Sequence, residues 1–170
     1  MVNQDFIEVN DIIECLEKTP AILKRYLNHI PEKLIKERRI ENKWSIHEQV
    51  CHLVEAQSIL IARFKLFNAE KNPLITSYNP GANRPSDYYL QLDMNEELNK
   101  FPIIRAGMVQ MLRGFDEGYW GLEGRHEFFT PYNARILLTH ALNVDYAHMF
   151  SIEQLGLTKA GFENEILTIP

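Results

Sequence analysis

Two histidines occupy matched positions on two amphipathic segments of the chain. His52 lies seven residues after Ser45, where one apolar-periodic stretch begins, and His148 lies seven residues before Leu155, where another ends. If the two segments are antiparallel helices, both imidazoles reach the same level of a bundle, roughly 10 Å from one end. Imidazole is the commonest side-chain ligand of metals. The spacing therefore predicts a metal site inside a helical bundle.

Four helical segments are predicted to position these histidines. Apolar residues recur at helical intervals over residues 4–28, 45–67, 94–116 and 130–155. The second segment opens with the capping-box pattern of Ser45 and Glu48. Starts and stops of the other helices are indicated by single residues that suit helix ends, namely Asp93, Thr130, Pro131 and Gly156. Pro20 predicts a kink or a restart in the first helix.

The connections between the segments predict the order of the helices. Residues 69–92 contain three prolines and are too long for a tight turn, which favours a crossover along the length of the bundle. The other two links are short. We therefore expect a single all-α domain over residues 1–170, a four-helix bundle in up-down-down-up order with its long crossover between helices two and three.

Composition limits the possible partners. The chain has 170 residues, a net charge of −5 and dispersed basic residues, which argues against nucleic-acid binding. The N-terminus lacks a signal-peptide pattern, and no apolar run reaches the roughly 20 residues that span a bilayer. We therefore expect a cytoplasmic protein without a membrane partner. Cys15 and Cys51 fall inside predicted helices and are expected to be reduced.

Two segments resemble the DinB/YfiT-like superfamily. The first is Trp44-Ser45-x-x-Glu48 followed by His52-Leu53, and the second runs from Leu137 through His140 and Asp145 to His148. The resemblance implies a four-helix bundle, commonly dimeric, with a divalent metal in a shallow pocket at one end. It also implies three ligands, one histidine on helix two and two residues four apart on helix four.

The resemblance places His52 and His148 at two of the three ligand positions. The middle position falls on Val144, which cannot bind a metal. Asp145 is the best replacement, because a carboxylate three residues from a histidine serves metal sites in other helical bundles. His52, Asp145 and His148 would suit zinc, nickel or iron. Alternatively, Asp145 faces solvent or orients a neighbour.

Several other polar residues compete for a role in the site. Glu55 lies one turn beyond His52 and is the candidate catalytic proton carrier, with a metal ligand, an outer hydrogen-bond acceptor or an ordinary surface acid as alternatives. His140 lies eight residues before His148, about 12 Å along the helix, so it is expected to be a structural residue. His47 is expected on the surface, and so is His126, for which a role in a pocket is the alternative.

Two functions remain open at this point. Val144 favours a metal-free small-ligand or interaction module on the family scaffold. The alternative is an enzyme, a metal-dependent hydrolase or thiol transferase that acts on a small molecule at His52 and His148. A homodimer is expected from the resemblance alone.

Overall fold

The computed structural model describes residues 8–80 and 84–157. Its long helices are α1 (Val9–Asn28), α3 (Ile46–Ala69), α4 (Met94–Arg113) and α5 (Ala134–Leu157), and α2 (Glu32–Ile35) is a single turn between α1 and α3. The predicted start of the first helix at residues 4–7 and the chain after residue 157 lie outside the described residues. Among the described helices, none combines the length and the apolar character needed to cross a bilayer.

Side-chain caps confirm the predicted starts of α3 and α4. Ser45 Oγ accepts a hydrogen bond from the Glu48 amide at 3.3 Å, and Glu48 Oε2 accepts one from the Ser45 amide at 2.8 Å. Asp93 accepts from the amides of Asn95 and Glu96 at 2.8 and 3.1 Å. Each cap satisfies backbone donors that have no partner inside the helix.

The predicted start of the last helix is wrong by three residues. Thr130 and Pro131 do not begin it, because the next two residues pair in a small sheet. Asn133 supplies the cap instead, since its side-chain oxygen accepts from the Ile136 amide at 2.8 Å. Thr130 and Pro131 therefore precede the strand Tyr132–Asn133, and the helix begins only after that strand.

The predicted interruptions at Pro20 and Gly156 do not break their helices. α1 continues through Pro20 from Val9 to Asn28 without restarting, and α5 continues past Gly156 to Leu157. Gly156 instead allows a close approach, because a Cβ atom there would lie 3.1 Å from the side chain of Ile30. Packing between elements decides these positions more than local preference does.

A small three-stranded sheet closes one side of the bundle. β1 (Leu74–Ile75) pairs in parallel with β2 (Glu123–His126), and β2 pairs antiparallel with β3 (Tyr132–Asn133). These strands contain two to four residues, which is too short for a visible alternation in the sequence. Gly124 is required where the sheet meets α3, because a Cβ atom there would lie 2.8 Å from the ring of Phe67.

Two apolar clusters fill the two ends of the bundle and establish the direction of each helix. One cluster takes residues from early α1 and α5 and late α3 and α4: Leu16, Leu137, Phe64 and Met108. The other takes residues from late α1 and α5 and early α3 and α4: Leu23, Ile152, Leu53 and Phe101. The predicted up-down-down-up four-helix bundle is therefore confirmed, and residues 70–80 and 84–93 belong to its crossover. α1 and α3 each pack mainly against α4 and α5.

Candidate functional site

The antiparallel packing of α3 and α5 brings His52 and His148 together. Their ring centres lie 4.8 Å apart, with the ring planes inclined at 63°. His52 is only 6% exposed, and its ring is further enclosed by Trp44, 4.8 Å away between ring centres. The ring of Tyr78 lies parallel to His52 at 5.9 Å. The structure thus shows the convergence that the matched positions predict.

Hydrogen bonds establish the same tautomer on both imidazoles. His148 Nδ1 lies 2.5 Å from Gln49 Oε1, and because an amide oxygen only accepts, Nδ1 carries the proton. The Tyr89 hydroxyl donates its one hydrogen to Glu55 at 2.5 Å. Its oxygen therefore accepts from His52 Nδ1, which lies 3.1 Å away. Both histidines consequently keep a lone pair on Nε2.

Burial keeps both imidazoles neutral near pH 7. It lowers the pKa of His52 to about 4, and the adjacent His148 lowers that pKa further. Burial also lowers the pKa of His148 to about 4, although the charge of Asp145 partly opposes this effect. A neutral imidazole with a free Nε2 can accept a hydrogen bond or bind a metal.

Glu55 holds a tyrosine that in turn orients His52. Its carboxylate forms an ion pair with Arg84 at 2.7 Å and accepts from Tyr78 and Tyr89 at 2.8 and 2.5 Å. Burial raises the pKa of Glu55, but the hydrogen bonds from Arg84, Tyr89 and Tyr78 outweigh it and lower that pKa to about 2. Through its hydrogen bond from Tyr89, Glu55 positions the hydroxyl that accepts from His52. Its role as catalytic proton carrier stays a prediction.

Asp145 is committed to a buried ion pair. Arg105 Nη1 and Nη2 contact its two carboxylate oxygens at 2.7 and 3.0 Å, and neither side chain is exposed by more than 2%. Thr19 donates to the same carboxylate at 2.5 Å, and Gln57 Nε2 lies 3.4 Å from it. Each long helix contributes one member to this layer between the two apolar clusters. The predicted role of Asp145 as third metal ligand is corrected to that of an ion-pair partner, because Arg105 occupies both oxygens.

A cavity of about 470 Å³ opens beside the histidine pair. Val144, one turn before His148 on α5, lines it together with both imidazoles. Apolar and aromatic side chains form much of the remaining wall, namely Ala56, Ile59, Leu60, Tyr78, Phe128 and Phe129, the last two beside His126. Val144 stands where the resemblance requires a metal ligand, and it presents an apolar side chain to the cavity.

A second pair of histidines lines the same cavity. The ring centres of His126 and His140 lie 6.4 Å apart. His140 has the structural hydrogen bond expected of it, since its Nδ1 lies 3.3 Å from the Tyr132 hydroxyl. His126 is partly buried, which corrects its expected surface position. Its sequence context, a polar segment rich in glycine, carried no signal for this placement.

The expected surface position of His47 is also wrong. The side chain is 2% exposed, and its Nε2 lies 3.0 Å from the backbone carbonyl oxygen of Leu92. The crossover segment before α4 covers this side of α3, and helical periodicity cannot show such a contact.

The residues present do not complete the metal centre that the resemblance implies. Two imidazoles that bind one zinc ion at about 2.0–2.1 Å have ring centres roughly 5 Å apart, and the 4.8 Å separation of His52 and His148 fits this geometry. A catalytic zinc site ordinarily needs a third protein ligand. Within residues 8–80 and 84–157, no group of three histidine, cysteine, aspartate or glutamate side chains could hold a metal ion.

Comparison with known proteins places the chain in a family. A family model described as the DinB superfamily matches residues 16–149. Among solved structures, YfiT from Bacillus subtilis matches with a TM-score of 0.74 and 18% identity, over 91% of this chain and 92% of that one. YfiT is described as a probable metal-dependent hydrolase with an unusual four-helix bundle topology. A search of curated proteins found no significant match. The chain belongs to the DinB superfamily.

Proposed function

We propose that this protein binds a small amphipathic organic molecule in the cavity beside His52 and His148, without a three-ligand metal centre. One observation supports the proposal most strongly. Two neutral imidazoles line a cavity of about 470 Å³ in which Val144 occupies the position of the third ligand. The cavity volume lies within the range of small-molecule sites, roughly 300–1,000 Å³.

The chemistry of the pair defines what this end of the cavity binds. Because Nδ1 of each ring donates to Tyr89 or Gln49, each Nε2 is an acceptor. A hydroxyl, amine or thiol group on the ligand would satisfy these acceptors. The surrounding hydrocarbon and aromatic rings favour an apolar body attached to that donor group.

A second candidate is the metal-dependent hydrolase or thiol transferase of the sequence analysis. The separation of the two rings favours it, as do the hydrogen bonds at both Nδ1 atoms, which resemble those that orient metal-bound histidines. YfiT, described as a probable metal-dependent hydrolase, shares the fold. The missing third ligand counts against it, and zinc, nickel and iron are the metals to test.

Nuclear magnetic resonance titration of untagged protein with 1,6-hexanediol tests the proposal. This probe has a hydroxyl donor and an apolar body. We expect saturable binding that is weakened in His148→Phe, which keeps a ring but removes the acceptor, and unchanged in His29→Gln on the exposed end of α1. Absence of saturable binding, or equal affinity in His148→Phe and wild type, would contradict it. A stoichiometric metal in the purified protein would favour the second candidate.

A further inference from the structure

We infer that the end of the cavity remote from His52 is an anion subsite, in which Arg63, His126 and His140 bind the carboxylate of an ω-hydroxy or ω-amino acid. The inference rests on the proposed function and specifies the class of its ligand. One end of the cavity offers the hydrogen-bond acceptors of His52 and His148. The other end is lined by Arg63, His126 and His140, which include a cation.

Arg63 is a cation without a counter-ion at this end. It is partly buried, and its Nη2 donates to the backbone carbonyl of Thr76 at 2.6 Å. Within the described part of the chain, no carboxylate lies within ion-pair distance of its guanidinium. The acid that follows His126, Glu127, instead accepts from the Ser77 amide at 2.7 Å. A guanidinium beside apolar walls is the group that a carboxylate pairs with best.

Nε2 of His126 is a hydrogen-bond donor, whereas Nε2 of His52 is an acceptor. The Phe128 amide donates to His126 Nδ1 at 3.1 Å, so the proton of the neutral ring lies on Nε2. Burial lowers the pKa of His126 and that of His140. The charge of Arg63 lowers both further, as His126 does for His140, and the charge of Glu127 partly opposes the shift at His126. The charge of Arg63 therefore acts on both imidazole rings, and a bound anion would offset that positive charge.

The two ends are separated by a distance that suits a short carbon chain. His140 and His148 are eight residues apart on α5, about 12 Å along the helix axis. On α3, His52 and Arg63 are eleven residues apart, about 16 Å along the axis. After two hydrogen bonds of about 2.8 Å, these two spacings leave roughly 6–11 Å between the polar atoms of the ligand, and the extended six-carbon chain, about 9 Å long, falls within that range. On α3, Ile59 and Leu60 lie between His52 and Arg63 in sequence and line the cavity, so hydrocarbon faces the middle of such a ligand on this side, whereas Asn143 lines the cavity from α5.

Two probes that differ only in charge test the subsite. 6-Hydroxyhexanoate and 1,6-hexanediol share a hydroxyl and a six-carbon chain, and only the first has a carboxylate. We expect wild type to bind 6-hydroxyhexanoate about tenfold more tightly, which corresponds to one charge-assisted hydrogen bond. Arg63→Gln should remove that advantage, so that the variant binds the two probes with equal affinity. Lys65→Gln removes the same charge from an exposed position on α3 and should leave both affinities unchanged.

The outcomes separate this inference from the proposed function. If hexanediol binds and depends on His148, but 6-hydroxyhexanoate binds no more tightly, the subsite is contradicted and the binding function stands. Equal loss of 6-hydroxyhexanoate affinity in Arg63→Gln and Lys65→Gln would also overturn the subsite, because it would indicate a general charge effect. If neither probe binds wild type, both proposals fail.

Discussion

Arg105 holds Asp145 in a buried ion pair with contacts of 2.7 and 3.0 Å to both carboxylate oxygens. This pair determines the chemistry available on α5. A free carboxylate at Asp145 would lie three residues from His148 and would offer a third ligand to the histidine pair. The carboxylate is bound to Arg105, and the face of α5 that lines the cavity carries Val144 and His148.

Removal of Arg105 is expected to destabilise the bundle strongly. Arg105→Met would leave the carboxylate of Asp145 buried and without its charge partner, which costs about 3–5 kcal/mol of unfolding free energy. Urea denaturation measures this loss. Arg113→Gln is the matched control, because Arg113 lies on the same helix as Arg105 but forms an exposed ion pair with Glu17 of α1, and exposed pairs contribute little to stability. Similar losses in the two variants would contradict the structural role of the buried pair.

Acidification is expected to weaken the fold through His52. Its pKa is about 4 in the folded protein, against 6.5 for an unperturbed ring, so between these values the unfolded chain binds a proton that the folded chain does not. The free energy of unfolding therefore falls as pH drops from 6.5 towards 4, by about 2–3 kcal/mol from this residue. His52→Phe should show a shallower dependence than wild type in urea denaturation over that range. Parallel pH curves would contradict the burial of a neutral His52.

The hydrogen-bond chain from Glu55 through Tyr89 is expected to control the tautomer of His52. In Tyr89→Phe, Nδ1 loses its acceptor, so the population with the proton on Nδ1 should decrease. Nitrogen-15 chemical shifts of the imidazole measure the two tautomers directly. The control is Tyr88→Phe, since the ring of Tyr88 lies 4.4 Å beneath Arg84 and its hydroxyl has no part in the chain. An unchanged tautomer in Tyr89→Phe would exclude the positioning role of Glu55.

The dimer expected from the resemblance remains a prediction that light scattering in solution can check. We expect the mass of two chains. The mass of one chain at all accessible concentrations would contradict it. The proposed ligand site lies within one chain, so this result bears on assembly and leaves the cavity unaffected.

The helices were predictable because their signals are local. The capping box at Ser45 and the cap at Asp93 act within one turn, and the apolar periodicity of α3 and α5 places His52 and His148 at one level. The small sheet and the true start of α5 depend on contacts between distant segments, such as Gly124 against Phe67. No local pattern encodes such contacts.

The partners of the site residues were harder to predict. Asp145 was assigned from its spacing to His148, but its partner lies on another helix. Arg105 gave a usable signal, because it shares an apolar stripe with Phe101, Met108 and Leu112, and a charge on such a stripe needs a buried partner. Tyr89 lies in the crossover, where no periodicity places a side chain over His52.

The most direct test of the central claim is a zinc titration by calorimetry of wild type and Val144→His. The added imidazole would lie one turn before His148 on the face that lines the cavity, so it would complete a three-histidine set. We predict weak zinc binding in wild type and a gain on the order of 100-fold in the variant. Tight, stoichiometric zinc binding by wild type, with no gain in Val144→His, would contradict the proposal that this site works without a metal.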